Sequence, residues 1–205
     1  MNKIHPLQRA RRVLYNALID VRFGPPLAGE IRTRYGHLGA KDTANSDYLA
    51  LDRIFAGTIG PDDVLVDIGC GKGRVLNWWL RHYDNQIIGI ELDPDIAAKT
   101  RSRLARFTNV TIVTGDAVQC LPPEGTLYYM YNPFHAEIVS QLEARLVEVA
   151  QGGAGPIRIV YNNCKYLSAF VNSPHWTVDL LDAAITDPFD RVAHIQYVGD
   201  LPETA

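Results

Sequence analysis

Short apolar runs alternate with longer segments of helical spacing from about residue 60 towards the end of the chain. The apolar runs are residues 64–68, 87–90, 110–113, 126–131 and 157–161, and the helical segments are 74–83, 95–107 and 136–150. Short buried strands separated by helices of this length are typical of right-handed βαβ units. The pattern therefore predicts a parallel sheet with helices on both faces.

The last part of the chain departs from this alternation. Residues 176–183 and 194–198 both have the composition of strands, and the segment between them is too short for a crossover helix. Two strands joined in this way pair antiparallel. The sequence therefore predicts an α/β fold with a seven-stranded, mostly parallel sheet and an antiparallel C-terminal strand, in one compact unit over residues 61–205.

Residues 1–60 are predicted to form an N-terminal helical extension. One face of the first helix carries the apolar residues Ile4, Leu7, Leu14, Leu18 and Val21, which is the spacing of an amphipathic helix. We expect this helix to pack over the edge of the sheet as a lid, with a membrane or nucleic-acid contact as the alternative. The segment through Lys41 has eight basic and two acidic residues, a charge of +6, which leaves −9 for the rest of the chain.

Composition limits the class of protein. The 205 residues are 47% apolar, which is enough for the core of one ordinary domain. There is no apolar run of the roughly 18 residues that a membrane span needs, and the first residues are too polar for a secretory signal, so we expect a cytoplasmic protein. The three cysteines, Cys70, Cys120 and Cys164, are too far apart for a zinc site or a disulfide framework and are expected to be free thiols.

A glycine-rich segment connects the first predicted strand to the first helix. In the stretch VLVDIGCGKGRVL, residues 64–76, Asp67 closes the strand and Gly69, Gly71 and Gly73 form the loop. Glycine allows positive φ and leaves the main chain open to a ligand. A dinucleotide-binding loop has the spacing G-x-G-x-x-G, but Arg74 stands where its third glycine would be. The spacing here is G-x-G-x-G.

The motif D-I-G-C-G-K-G is similar to the first motif of class I S-adenosylmethionine-dependent methyltransferases, and the resemblance extends over about residues 45–165. It implies a Rossmann-like methyltransferase sheet that binds S-adenosylmethionine against this loop, including Cys70. By the same resemblance, Asp67 orients the amino end of the methionine moiety. No metal is required, because the methyl group on the sulfonium is already activated.

Residues at the ends of the second and third strands extend the resemblance. Glu91 is where an acid accepts hydrogen bonds from both ribose hydroxyls, although NAD-binding sheets also have an acid there. Leu92 is implied to pack on the adenine, with ordinary core packing as the alternative. Asp116 is implied to accept a hydrogen bond from the adenine amino group, and the N–H of Ala117 to serve a ring nitrogen. An aspartate at position 116 also suits a helix N-cap, and the two roles are compatible.

The fourth strand ends in TLYYMYNPF, which is similar to the N-P-P-Y motif of enzymes that methylate amino groups. In that motif the Asn side-chain oxygen and the first Pro carbonyl accept hydrogen bonds from the amine, roles that fall here on Asn132 and Pro133. The second proline is replaced by Phe134. His135 is the first candidate for a general base, and the more remote His37 is the second.

Three further features surround this predicted site. Arg74, in the first turn of a helix, opposes the helix dipole, so a carboxylate of the protein or the ligand is expected beside it. Asn162 and Asn163 are expected to line an acceptor pocket with Tyr131 and Phe134. The motifs GKGR and YNPF also resemble a bacterial subgroup of methyltransferase-domain proteins with undefined substrate, in which Tyr48 reaches the cofactor, and Ser46 or Asp47 is expected to cap the helix at that point.

The sequence thus predicts S-adenosylmethionine-dependent methyl transfer by in-line displacement, with a nitrogen acceptor favoured. Two alternatives are kept: a noncatalytic S-adenosylmethionine-binding module that contacts nucleic acid through its basic arm, and aminopropyl transfer on the same fold. The acceptor is a small amine, a protein side chain, a nucleic-acid base or a lipid. Neither the acceptor nor the oligomeric state follows from the sequence.

Overall fold

A computed structural model gives the structure of the chain and describes residues 6–27, 29, 34–36, 46–132, 134–153, 157–182, 184–185 and 191–199. Ile4, His37 and Pro133, which the sequence singles out, lie outside these ranges. Within them, no helix combines the length and apolar character that crossing a membrane requires. The same ranges contain no group of three or more His, Cys, Asp or Glu side chains placed to hold a metal ion.

Seven strands form a single sheet, as the sequence predicts. They are β1 (Leu65–Ile68), β2 (Ile87–Glu91), β3 (Val110–Thr114), β4 (Leu127–Tyr131), β5 (Arg158–Asn162), β6 (Trp176–Leu180) and β7 (Val192–Tyr197). Their order across the sheet is β3-β2-β1-β4-β5-β7-β6. The first five strands are parallel, while β7 pairs antiparallel with both β5 and β6. The predicted fold is confirmed, including the antiparallel end.

The helices are α1 (Pro6–Asp20), α2 (Tyr48–Ile54), α3 (Arg74–His82), α4 (Pro94–Leu104), α5 (Ala117–Cys120), α6 (Ala136–Gln151) and α7 (Ser168–Val171). The predicted crossover helices correspond to α3, α4 and α6. Two others, α5 and α7, are single turns, too short to show a helical period in the sequence. Asp47 caps α2, as predicted, by accepting a hydrogen bond from the Leu49 N–H at 2.9 Å.

Two apolar layers lie on opposite faces of the sheet. On one face, α6 and α7 pack against side chains such as Tyr128 and Met130. On the other, α2 and α3 pack against the alternate residues of the same strand, Leu127 and Tyr129. Every residue of β1 and β2 is buried. Coverage of both faces explains why these strands are continuous apolar runs in the sequence.

The N-terminal helix packs through a different face from the one that the sequence suggested. The predicted apolar face is exposed at Leu7, Leu14, Leu18 and Val21. The buried side of the segment instead carries Ile19, which joins the core beside α2 and α3. Polar residues lie on this side too, and hydrophobic periodicity cannot recognise polar residues as packing positions. The predicted orientation of the helix is therefore wrong.

The strand order reverses between β1 and β4, because the chain adds β2 and β3 on one side of β1 and then returns to place β4 and β5 on the other. Diverging loops leave a crevice at the carboxyl ends of the strands at such a point, and open α/β sheets bind ligands there. The glycine loop after β1 and the YNPF segment after β4 both lie at this edge.

Candidate cofactor and acceptor site

The glycine loop between β1 and α3 is held open by its backbone conformation. Gly69, Gly71 and Gly73 all have positive φ, at 77°, 52° and 78°, a region that side-chain-bearing residues rarely adopt. A Cβ on Gly73 would also meet side-chain atoms of Arg103 and Thr100 within about 3 Å. The hydroxyl of Thr100 donates to the Gly71 carbonyl at 2.8 Å. The loop is therefore pinned from α4, and its three glycines leave the main chain uncovered at alternate positions.

Glu91, at the end of β2, binds the same loop. One carboxylate oxygen accepts a hydrogen bond from the Gly71 N–H at 2.8 Å, and the other accepts one from the Asp93 N–H at 2.9 Å. Burial raises the pKa of Glu91, and these backbone N–H groups oppose that shift. The Leu92 N–H also interacts with this carboxylate, which has about four acceptor sites in all. Glu91 can thus accept further hydrogen bonds from a ligand while it fixes the loop.

Asp67, at the end of β1, differs from the other acids at this edge of the sheet in its hydrogen bonding. Its side chain is buried, and none of the described residues donates a hydrogen bond to its carboxylate. Burial, followed by the neighbouring Glu91 carboxylate, raises the pKa of Asp67 well above its usual range. A buried carboxylate without a partner is costly. The arrangement fits a cationic group that would lie against Asp67 and supply the missing donor.

Beyond the carboxylates, residues at the ends of β2 and β3 form the edge of this region. Leu92 is only partly buried and belongs to neither apolar layer, so it is available to cover a planar ligand. Asp116 is exposed and caps α5, where it accepts a hydrogen bond from the Val118 N–H at 2.8 Å. Ala117 begins α5 and is buried. The predicted capping role of Asp116 is confirmed, and its second oxygen faces no described donor.

Cys70 lies within the loop but points inward. Its side chain is buried against Gly89, and burial raises the pKa of the thiol well above its usual range. Its backbone N–H donates to the Ile90 carbonyl at 2.8 Å, so this donor is engaged within the fold. Together with Cys120 and Cys164 it is a free thiol.

The acceptor side begins where β4 ends. Asn132 is buried and has a φ of 35°, a conformation that asparagine tolerates better than most residues. Its side-chain oxygen accepts a hydrogen bond from the Tyr161 hydroxyl at 3.3 Å. Phe134 is buried in the apolar layer beneath α6. His135 is exposed at the N-cap of α6 and makes no side-chain capping bond.

The neighbouring strand β5 ends in a similar way. Asn162 donates to the Tyr129 hydroxyl at 3.0 Å, and that hydroxyl also bonds the Ser46 hydroxyl at 3.1 Å. Asn163 has a φ of 54°, and its side-chain oxygen is buried without a partner among the described residues. Asn132 and Asn163 are the two described non-glycine residues with positive φ. Sequence reasoning missed Tyr129 and Tyr161 and assigned Ser46 only a possible capping role, since nothing local indicates these contacts.

Comparison with known proteins agrees with this geometry. Residues 65–151 match the family model described as "Methyltransferase domain". The "Probable ribosomal RNA small subunit methyltransferase A" of Methanosarcina barkeri (strain Fusaro / DSM 804) is 39% identical over 75 residues, which are 36% of this chain and 26% of that protein. The "rRNA adenine N-6-methyltransferase" of Limosilactobacillus reuteri is 24% identical over 89 residues, 43% of this chain and 36% of that protein. Each match thus spans about a third or less of the relative's length.

Solved structures share the fold. An RNA methyltransferase from Salinibacter ruber, crystallised with S-adenosyl-L-homocysteine, has a TM-score of 0.54 at 21% identity and covers 78% of this chain and 97% of its own. The 23S rRNA methyltransferase ErmE has a TM-score of 0.57 at 16% identity, over 77% of this chain and 71% of its own. The match of residues 65–151 to a methyltransferase domain agrees with the predicted class I methyltransferase. S-adenosylmethionine is the cofactor of that class of methyltransferase, and it is the cofactor expected here.

The methyltransferase domain is joined to the N-terminal helix by a buried ion pair. Arg74 opens α3, and its guanidinium donates to both carboxylate oxygens of Asp20, the last residue of α1, at 3.3 and 2.7 Å. The side chain of Asp20 is 1% exposed and that of Arg74 is 10% exposed. The expected compensating carboxylate is therefore Asp20. It could not be identified in advance because it lies 54 positions earlier.

Hydrogen bonds extend this pair into a network, defined here as the arm latch: Asp20, Tyr48, Arg74, Asn77 and Arg103. The Tyr48 hydroxyl donates to Asp20 at 2.7 Å and accepts from the Asn77 amide at 3.1 Å. Arg103 donates to the Asn77 side-chain oxygen at 2.8 Å and to the Lys72 carbonyl at 2.7 Å. Tyr48 is fully buried in this latch. Its hydroxyl is therefore engaged by the arm rather than directed into open cofactor space.

Proposed function

We propose that the protein is an S-adenosylmethionine-dependent methyltransferase that acts on an amino nitrogen. The observation that carries the proposal is the buried, unpartnered carboxylate of Asp67 beside Glu91 and the glycine loop. Two buried acids at one strand edge suit a ligand that brings both a cation and hydroxyl donors. A pyrophosphate would be repelled by the same pair, which argues against a dinucleotide.

On the cofactor side, Asp67 binds the ammonium of the methionine moiety, and Glu91 accepts hydrogen bonds from the ribose hydroxyls with its remaining lone pairs. The second oxygen of Asp116 receives the adenine amino group, and Leu92 covers the adenine. The bare loop from Gly69 to Gly73 lets the ligand contact the main chain. When bound, S-adenosylmethionine supplies a methyl group whose bond to the sulfonium sulfur breaks as the bond to the acceptor forms.

On the acceptor side, the protein holds the nitrogen and directs its lone pair. Asn132 accepts a hydrogen bond from the acceptor N–H through its side-chain oxygen, which Tyr161 orients, and the carbonyl of Pro133 accepts a second. Positioning of this kind accounts for about 7–11 kcal/mol of barrier lowering in favourable cases. The proton released from nitrogen passes to water or to His135, whose exposed ring stands next to this segment.

Two observations bear in opposite directions on whether the amino group belongs to RNA. The relatives named above act on ribosomal RNA, as their names state. The chain after Lys41, however, has a net charge of −9, and such a domain disfavours the approach of a polyanion. The proposal therefore concerns the amino group itself and does not depend on RNA.

The experiment has a binding stage and a transfer stage. Calorimetry should show binding of S-adenosylhomocysteine and no binding of NAD. Labelled S-adenosylmethionine is then offered with ribosomal RNA in one set of reactions and with small and lipid-borne primary amines in another, and mass spectrometry locates the methyl group. Tight NAD binding, or methyl groups found on oxygen or carbon, would refute the proposal. Binding without any transfer would favour the noncatalytic module, and preference for the decarboxylated cofactor would favour aminopropyl transfer.

A further inference from the structure

The outer face of α1 is an exposed aliphatic surface, defined here as Val13, Leu14 and Leu18 of the helix together with Val21, which follows it and whose N–H still donates to the Ala17 carbonyl at 3.1 Å. These side chains are 61%, 60%, 59% and 54% exposed. At 100° per residue they fall within an arc of about 140° on one side of the segment. Isolated exposed aliphatic residues are common on protein surfaces. Four on adjacent turns form a continuous strip that the fold leaves uncovered.

Positive charge borders this strip. Arg11 is exposed and falls on the flank next to Leu18 when the helix is drawn as a wheel. Arg22 is also exposed and lies in the turn just after the end of the helix. Arg106 donates a hydrogen bond to the Arg22 carbonyl, so its guanidinium lies at the same end. The one acidic residue of α1 is Asp20, which is buried in the arm latch. The outer face of α1 is therefore aliphatic with a basic border and no exposed acid of its own.

The inner side of α1 is fixed to the domain. Arg12 donates to Asp47 at 3.0 Å, and the Asn16 amide donates to the same carboxylate at 3.2 Å. With the arm latch at the last residue, these contacts hold the helix along its length. Turning the helix to bury the outer face would break the Asp20–Arg74 ion pair, so the outer face stays exposed.

We propose that the outer face of α1 docks on an anionic phospholipid surface. An amphipathic helix of this kind lies in the plane of the interface, with its apolar side among the acyl chains and its cations among the headgroups. A helix of 15 residues is about 22 Å long, and one face of it buries far less than the roughly 800 Å² per partner of a standard protein interface. A second copy of the chain is therefore the weaker occupant. Aliphatic side chains also offer no donors to the phosphates of RNA.

The test is sedimentation with vesicles, using the full chain. We expect the protein to sediment with phosphatidylcholine vesicles that contain phosphatidylglycerol, and much less with phosphatidylcholine alone. The double variant Leu14→Gln/Leu18→Gln should lower the partition coefficient about tenfold or more, because it removes the apolar contact. The variant Arg11→Gln/Arg22→Gln should lose the preference for the anionic vesicles and its dependence on salt.

The matched control is Val171→Gln/Leu181→Gln, which removes two exposed aliphatic residues elsewhere and should bind vesicles like the unchanged protein. Protein that stays in the supernatant with both vesicle types, or a Leu14→Gln/Leu18→Gln variant that binds normally, would overturn the proposal. So would a dimer in light scattering that this variant dissociates, since the occupant would then be a second copy. Binding of S-adenosylhomocysteine should be the same in all variants, which separates this outcome from the proposed function.

Discussion

The cofactor side and the acceptor side of the site are built in different ways. On the cofactor side, at the ends of β1 to β3, main-chain groups make most of the contacts: the N–H groups of Gly71 and Asp93 bind Glu91, and the N–H of Val118 binds Asp116. On the acceptor side, at the ends of β4 and β5, side chains bind one another, as in the pairs Asn132–Tyr161 and Asn162–Tyr129.

This difference separates binding from chemistry. Main-chain contacts depend on loop conformation, so a substitution on the cofactor side should alter the loop and the affinity for the cofactor together. Side-chain contacts on the acceptor side can be removed one at a time. Substitutions there should change the rate of transfer and leave cofactor affinity nearly unchanged.

The largest expected effect concerns the arm latch, which supports the cofactor side. Asp20→Asn or Arg74→Met leaves a buried charge without its partner, and such losses cost about 3–5 kcal/mol. Amide hydrogen exchange over residues 6–27 should show the arm opening more easily by about this free energy. The double variant should lose less than the sum of the two single losses, since neither charge is then left alone.

An exposed pair provides the control for that measurement. Arg145 and Glu148 form an ion pair on the surface of α6, and Arg145→Ala should cost about 0–1 kcal/mol. Equal losses from the exposed and the buried pair would mean that burial is not what gives the arm latch its strength.

The next effect tests the acceptor side alone. Asn132→Ala removes the side-chain oxygen proposed to hold the amine, and loss of one such positioned group typically lowers kcat by about 100- to 1000-fold. The affinity for S-adenosylhomocysteine should stay within about twofold of the original. A change of that size is smaller than the loss of one hydrogen bond would cause. The control is the exposed Asn172→Ala. A parallel loss of affinity and rate would show that the two sides are not separable.

On the cofactor side, Glu91→Gln replaces one carboxylate oxygen with an NH₂ group, which then faces the N–H of Gly71 or of Asp93. Two donors cannot bond each other, so the contact with the loop and the proposed contacts with the ribose are both weakened. Hydrogen bonds to a charged group contribute about 1.5–3 kcal/mol each, which predicts an affinity loss of roughly tenfold to 150-fold in calorimetry. The exposed Glu124→Gln should have no effect. Normal affinity in Glu91→Gln would remove Glu91 from the cofactor site.

The smallest effect is a dependence on pH. Because the pKa of Asp67 is raised in the folded, ligand-free protein, this group contributes its full stability below the ordinary pKa of Asp and loses it as pH rises through the raised value. An ammonium bound beside it would favour the charged form, so S-adenosylhomocysteine affinity should increase with pH over the same range. Calorimetry at several pH values measures this increase.

Asp67→Asn is the matched variant for the pH experiment. It should flatten the affinity profile and raise the thermal midpoint of the ligand-free protein near pH 7, by about 2–4 °C for each kcal/mol regained. A profile with the same slope in this variant would assign the titration to another group.

The sequence was informative where structure depends on local chemistry. The spacing of Gly71 and Gly73 predicted a loop, and the residue type of Asp116 predicted a helix N-cap. Both predictions rest on the local conformational preference of the residue itself. It was uninformative where contacts join distant positions. Ser46 meets Tyr129 across 83 positions, and no pattern along the chain brings them together.

The orientation of α1 failed for a related reason. The apolar period of Leu14, Leu18 and Val21 is genuine, but it marks the side that faces outward. The inward side is selected by Asp20, whose charge is matched by Arg74 only once the fold has formed. An apolar stripe thus gives the existence of a helix more reliably than it gives the surface that the helix covers.

The arm latch has a practical consequence for anyone who would shorten this protein to its recognisable domain. Removing the residues before 46 would leave the family-matched residues 65–151 intact. It would also remove Asp20, so the guanidinium of Arg74 and the hydroxyl of Tyr48 would both lose their carboxylate partner. The shortened protein would then carry an uncompensated positive charge at the first residue of α3. The segment before residue 46 therefore helps to hold the glycine loop, because Asp20 neutralises the charge of Arg74 directly after that loop.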